Sequence, residues 1–271
     1  MVSVALAQTE APSWVDFAER SLTGQMAESP LLDFSYSGYH FSERALPDVS
    51  AWTHFDVTDY GAVPNDGGHD DDGIRAAIAA AQASDGPAVV YFPAGKFRVS
   101  DETNANAPFI ISRSQVVLKG AGSGTGGTEI YADWSGGENA GGIPTNGGDY
   151  RFVFRPEATA RTTLTQSTQH VERGSFSIAV ADASSLVVGQ IVELHHNDPS
   201  SLPLNFPGLE FKEVWRIGEN GIRPYEKHLI TGIVGNTVTF KNPIQLHLPG
   251  DVSPIIIYSY RSIEEVGMED I

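Results

Sequence analysis

The sequence predicts a mostly β protein with one well-defined short helix near its start, and three observations carry that prediction. Gly at 28 and Pro at 16 of 271 residues set many turns and little helix, since glycine supplies turn conformations and proline lacks the amide that a helix uses. Short β-branched and aromatic runs recur between turn residues, at 88–92, 109–111, 116–118, 130–131, 152–154 and, more densely, across 175–194, 228–240 and 255–260. Strong helical periodicity is confined to Ile74, Ala77, Ile78 and Ala81, which recur at i, i+3, i+4 and i+7 and make one apolar face.

The helix has both boundary signals. Asp71 or Asp72 is placed to act as N-cap, and acidic charge suits the positive end of the helix dipole. Gly86 followed by Pro87 is the stop signal, Gly for a left-handed C′ position and Pro because it cannot continue a helix. Beyond it, residues 88–92 and 96–99 flank Pro93-Ala94-Gly95 and read as a hairpin-like strand pair.

Those residues, in that order, also carry a resemblance. D-Y-G-A at 59–62, D-G at 66–67, the pair Asp71 and Asp72, A-I-A-A-A in the helix and V-Y-F-P-A-G ending at Gly95 resemble the pectate-lyase-like superfamily. More narrowly they are similar to its right-handed parallel β-helix branch, which opens with a capping strand and helix and includes polysaccharide lyases, glycoside hydrolases and phage tail-spike domains. Gly73 stands where that family usually has Thr. The resemblance implies a right-handed parallel β-helix capped by the 72–84 helix. It also implies secreted carbohydrate processing as a lyase or hydrolase; a non-catalytic attachment module of tail-spike or adhesin type is the alternative.

Composition bounds the partners. The formal charge of −17 excludes the net basic footprint that phosphate binding needs, so nucleic acid is not expected. An acidic polysaccharide would need a local basic groove set against that field. No apolar run reaches membrane-spanning length, and no membrane partner is expected. With no cysteine, thiolate chemistry is excluded. Val2 to Leu6 is apolar and Ala5-Leu6-Ala7 has the small-x-small form of a signal-peptidase site, although no basic segment precedes it. A secreted or periplasmic location is the matching expectation.

Four segments follow along the chain. Residues 1–52 are a tail and an aromatic-rich segment with a weak helical pattern at 13–26; residues 53–161 are the cap and first coils. Residues 162–250 read as an inserted antiparallel β-subdomain, with turns at Val188-Gly189 and Gly235-Asn236 and a long loop at 195–227. The stretch 174–190 resembles a G-S-x-x-L-x-V-x-D-A-S-x-L-x-V-G-D pattern familiar in the same family. Residues 251–271 read as a return to coils, and E-V-G-x-E-D-I at 265–271 usually introduces further coils there. The expectation is therefore the N-terminal portion of a longer protein, able to self-associate through an uncapped last coil.

Reactive chemistry has thinner support. The acidic run Asp66, Asp70, Asp71 and Asp72 lacks a calcium-loop register, and capping and turn formation account for it better than a metal. G-x-G-x-x-G at 122–127 is not followed by the helix that a dinucleotide site needs. His195 and His196 are adjacent on a predicted strand and point to opposite faces, so they do not share one ion. No metal site and no cofactor are expected. The candidate substrate-binding residues are His196, Lys212, Arg216, Arg223 and Tyr225, from a segment rich in bases and carboxylates. No catalytic position is assigned.

Overall fold

The run Ala88–Phe92 is buried almost throughout, the mark of a strand covered on both faces of a parallel sheet, and the structure pairs it that way. The computed structural model describes residues 12–23, 34–99, 108–132, 152–158, 160–198, 201–206 and 224–271. The chain divides into two units, one formed by Pro47–Thr159 with Arg261–Ile271 and the other by Met1–Leu46 with Ala160–Tyr260. Helix α1 (Pro12–Thr23) answers to the weak pattern read at 13–26, with Trp14 stacked on Phe17 at 5.7 Å between centroids.

In the first unit the chain runs through β1 (Thr53–Asp56), a 3-10 turn (Val57–Tyr60), α2 (Asp71–Ala83), β2 (Ala88–Phe92), β3 (Gly95–Val99), β4 (Phe109–Ile111), β5 (Val116–Gly120), β6 (Thr128–Ala132) and β7 (Phe152–Phe154). Every pairing is parallel: β2 lies between β1 and β5, β3 pairs with β6, and β4 pairs with β7. Strands β2, β3 and β4 thus enter three sheets in turn, and β5, β6 and β7 revisit the same three in the same order. The hairpin expected around Pro93-Ala94-Gly95 does not form. Instead Gly95, at φ 135°, turns a corner with its amide on the Gly127 carbonyl, so that β2 and β3 belong to different sheets.

One interior serves all three sheets. Val90, Phe92, Phe97, Val99, Phe109, Ile111, Val116 and Leu118 form a single cluster with Ile74, Ala77, Ile78 and Ala81 of α2. Each large side chain buried there contributes roughly 1.5–3 kcal/mol, and Phe92 meets Phe97 edge-on at 5.6 Å. On the outer face Val89 and Val117 are covered by Val49, Trp52 and Tyr91.

The helix ends differ from the sequence reading. Asp70, not Asp71 or Asp72, occupies the cap position, and its carboxylate does not cap. It accepts from the amides of Val63 (2.7 Å) and Arg98 (2.8 Å), tying the loop before α2 to β3. Burial raises its pKa, only partly offset by those two N–H groups. Gly86 is not left-handed; α2 stops at Ala83, where Arg113 donates to the carbonyls of Ala81, Ser84 and Gly86 at 2.8–2.9 Å. A cation on the last carbonyls suits the negative end of the helix. Along its length α2 also satisfies the edge of β4: Arg75 donates to the Pro108 carbonyl, while Gln82 donates to Ile110 O and accepts from Ser112 N. An edge strand left open would be a template for unwanted pairing.

The second unit is antiparallel. It comprises β8 (Thr163–Ser167), β9 (His170–Val171), β10 (Ser177–Ala179), β11 (Ile191–His196), α3 (Ser201–Asn205), β12 (Tyr225–Val234), β13 (Thr237–Phe240), β14 (Leu248–Pro249) and β15 (Ile255–Ser259). The larger sheet has the order β10-β13-β12-β11-β15-β8, and β9 pairs with β14. Gly235 at φ 58° and Asn236 make the two-residue turn between β12 and β13. The segment read as a loop at 195–227 begins and ends inside β11 and β12 and contains α3.

Residues 255–259, expected to return to the coils, instead pair antiparallel with β11 and β8. Three consecutive isoleucines give no alternation from which a sheet partner could be chosen. The return comes at Arg261, and β16 (Val266–Glu269) extends the first sheet parallel to β5, with Lys119 bonded to Glu269 and Asp270. Similarly, Tyr36 and Glu43 contact Phe176 and Lys241 of the antiparallel unit, whereas residues from Pro47 on belong to the parallel one.

Gly73 lets α2 lie on the backbone of Gly61 and Ala62: a Cβ there would sit 2.3 Å from Ala62 N. Gly73→Ala is therefore expected to lower the stability of the parallel unit by about 1–3 kcal/mol, read by denaturant unfolding; an unchanged midpoint would contradict this close approach.

Candidate functional site

Alternation along β11 decides which side chains reach the surface. Val192, Leu194 and His196 turn into the apolar cluster of the antiparallel unit, while Glu193 and His195 occupy the opposite face. In register, Glu193 lies between Lys227 on β12 and Tyr258 on β15, and His195 lies beside Tyr225. Arg161, just before β8, reaches the same face.

The three polar groups form one constellation. Arg161 Nη1 donates to Glu193 Oε1 at 2.7 Å and lies 2.8 Å from His195 Nε2, which itself contacts the Glu193 carboxylate. Rings surround it: Tyr225 and Tyr258 have centroids 5.5 and 5.1 Å from the His195 ring, and the Arg161 guanidinium lies 5.1 Å from the Tyr258 centroid. Lys227 is 4.5 Å from the Tyr260 ring. The exposed parts of the surface are aromatic and cationic, and the carboxylate is 6% exposed beneath them. Burial pushes the Glu193 carboxyl up, but hydrogen bonds from Arg161 and His195 outweigh it and hold the pKa below the ordinary range. Glu193 is thus ionised at neutral pH, which suits electrostatic positioning and not proton donation.

The residues named from the sequence separate. Tyr225 belongs to this face and is 59% exposed. His196 is fully buried, its ring nitrogens 3.0 Å from the Asp198 carbonyl and 3.1 Å from that of Pro249, and so serves the fold on the far side. Lys212, Arg216 and Arg223 lie outside the described residues. Sequence reasoning did not single out Arg161, Glu193 or Tyr258. The two-residue alternation from His195 back to Glu193 was the available signal, whereas Arg161 and Tyr258 arrive through pairings that no local pattern encodes.

The other motifs take structural roles. Asp66 accepts from Gly68 N, and Asp70 is engaged as described above. The glycine motif at 122–127 is a tight turn, where a Cβ on Gly127 would meet Gly122 O at 1.8 Å, and β6 follows it instead of a helix.

Comparison with known proteins finds a family model and several solved structures to which the chain is similar. Residues 54–181 match the family described as rhamnogalacturonase A/epimerase, pectate lyase-like. That match spans just under half of the chain and is to the superfamily that the sequence resembles. No curated protein matches it. Among solved structures it is similar to the tailspike gp61 of Pseudomonas phage phi297, at 16% identity and TM-score 0.49 over 80% of this chain and 33% of that one. The tailspike protein gp49 of Pseudomonas phage LKA1 is similar at 19% identity and TM-score 0.45, over 79% and 34% of the respective chains. The Gp54 tailspike of Acinetobacter baumannii bacteriophage AP22, solved with A. baumannii capsular saccharide, is similar at 13% identity and TM-score 0.40, over 79% and 28%. The chain spans about a third of the length of these structures.

Because the folded pKa of Glu193 lies below its unfolded value of about 4.3, its ionised form stabilises the fold at neutral pH. That contribution is lost as the pH falls below about 4.3 and through the folded value. Glu193→Gln should therefore be less stable than wild type at pH 7, with the gap closing on acidification. Thermal unfolding followed from pH 7 to pH 3 measures it, and a gap that does not depend on pH would refute the ion pairing.

Proposed function

We propose that this protein binds and processes polysaccharide on a right-handed parallel β-helix, with α2 closing the end of the coil stack. The match of residues 54–181 to a family described by polysaccharide-active enzymes carries the reading. Three parallel sheets revisited in the same order, with α2 against β1, β2 and β4, support its architectural half. The warrant is association through family, since one fold hosts many activities. A secreted or periplasmic location goes with the proposal.

The surface of Arg161, Glu193, His195, Tyr225 and Tyr258 favours a second reading, a binding or attachment module of tail-spike or adhesin type. Flat rings beside fixed charges suit sugar faces and hydroxyls. Among the described residues, the carboxylate of this face is ionised and paired with Arg161 and His195, which suits holding a sugar hydroxyl more than protonating a leaving group.

Incubation of the full chain with a panel of acidic and neutral polysaccharides tests both readings. New absorbance near about 235 nm marks elimination next to a uronate carboxylate; reducing ends without it mark hydrolysis. Binding without products supports the module. Neither products nor binding across the panel would overturn the proposal.

A further inference from the structure

Strands β9 and β14 carry a second constellation, apart from the aromatic face. The ladder sets Val171 opposite Leu248 and His170 opposite Pro249. One step further, the same register places Glu172 beside His247, so that two imidazoles and a carboxylate share one face of the ribbon. His170 Nε2 is 3.3 Å from Glu172 Oε1, and His247 Nδ1 is 2.8 Å from Glu172 Oε2. One ligand atom from each of the three residues lies within 4.8 Å of the others.

The ribbon holds these groups in place. Val171 and Leu248 are buried in the core on the opposite face. His247 is fixed at both backbone groups by Asn205, whose Oδ1 accepts from His247 N and whose Nδ2 donates to His247 O. Gly250 passes so close to Gln169 that a Cβ would meet its carbonyl oxygen at 2.3 Å, and this brings Asp251 toward His170. Asp251 Oδ1 faces His170 Nδ1 at 3.7 Å. A carboxylate on that side favours a proton on Nδ1, which would leave Nε2 to ligate, the usual arrangement of a metal-bound histidine. The Arg173 amide makes a long contact, 3.4 Å, to His247 Nδ1, which a cation on that nitrogen would displace.

We infer that His170, Glu172 and His247 form a binding site for a divalent transition-metal ion of the zinc class, with Asp251 as a positioning residue. Two imidazole nitrogens with one carboxylate oxygen suit Zn²⁺ or Co²⁺; Ca²⁺ and Mg²⁺ prefer all-oxygen shells. Bonds of about 2.0–2.1 Å in a tetrahedral site separate ligand atoms by about 3.3 Å, so modest side-chain rotation closes the set. Three protein ligands leave the fourth position to water. The net charge of −17 favours cation accumulation at this surface.

Calorimetric titration of the full chain with Zn²⁺ is expected to show one site per chain, with Ca²⁺ giving no heat. Glu172→Gln and His170→Asn, both at partly exposed side chains whose backbone pairing is unaffected, should each weaken Zn²⁺ binding tenfold or more at unchanged circular dichroism. Asp251→Asn should weaken it by about tenfold without changing the stoichiometry. Co²⁺ should give visible d–d bands in the wild type that Glu172→Gln abolishes. No binding of Zn²⁺ by the wild type at about 1 mM, or undiminished affinity when Glu172→Gln and His170→Asn are combined, would overturn the site.

Discussion

Everything in the parallel unit depends on a single apolar interior shared by three sheets and covered by α2. Parallel pairing gives no hairpin contact between strands joined by a short turn: β2 is bonded to β1 and β5, never to β3. A single coil therefore cannot hold itself together, and stability comes from stacking and from the interior. Phe92, Phe97 and Phe109 fill that interior from three successive strands, and Ile74, Ala77, Ile78 and Ala81 close it from the helix. The polar complement is equally specific. Gln82, Arg75 and Arg113 satisfy backbone groups at the edge of β4 and at the end of α2, where burial without partners would be costly.

Local signals made the elements legible and left their partners illegible. The apolar period of α2 and the β-branched run at 88–92 identify themselves, as does Gly235-Asn236 as a two-residue turn. Pro93-Ala94-Gly95 is also recognisable turn chemistry, but whether a turn reverses the chain or rounds a corner depends on strands far along the sequence. The same holds for 255–259, whose isoleucines suit either kind of sheet. Gly73, a departure from the family pattern, proves to be a site of close approach between α2 and the Gly61–Ala62 backbone, which no propensity records.

The functional surfaces follow the same division. His196 looked chemically available in sequence and is buried between two carbonyls. Its neighbour His195 turns to the other face, where Arg161 and Tyr258 join it through sheet pairing. The constellation on β9 and β14 is assembled by a two-residue ladder that brings His247 from a distant segment to His170 and Glu172, a pairing that no local pattern records. In both places the antiparallel unit supplies the polar groups.

The central claim is the coiled, parallel course of the chain, and disulfide trapping tests it most directly because the protein has no cysteine of its own. Lys96 and Glu129 are in-register partners on β3 and β6, within reach of a disulfide when both are replaced. The doubly substituted Lys96→Cys, Glu129→Cys protein should oxidise readily to a monomeric cross-linked form, and Tyr91→Cys with Lys96→Cys should not. The reverse outcome, a bridge between 91 and 96 and none between 96 and 129, would mean that β2 and β3 form a hairpin and would contradict the coil.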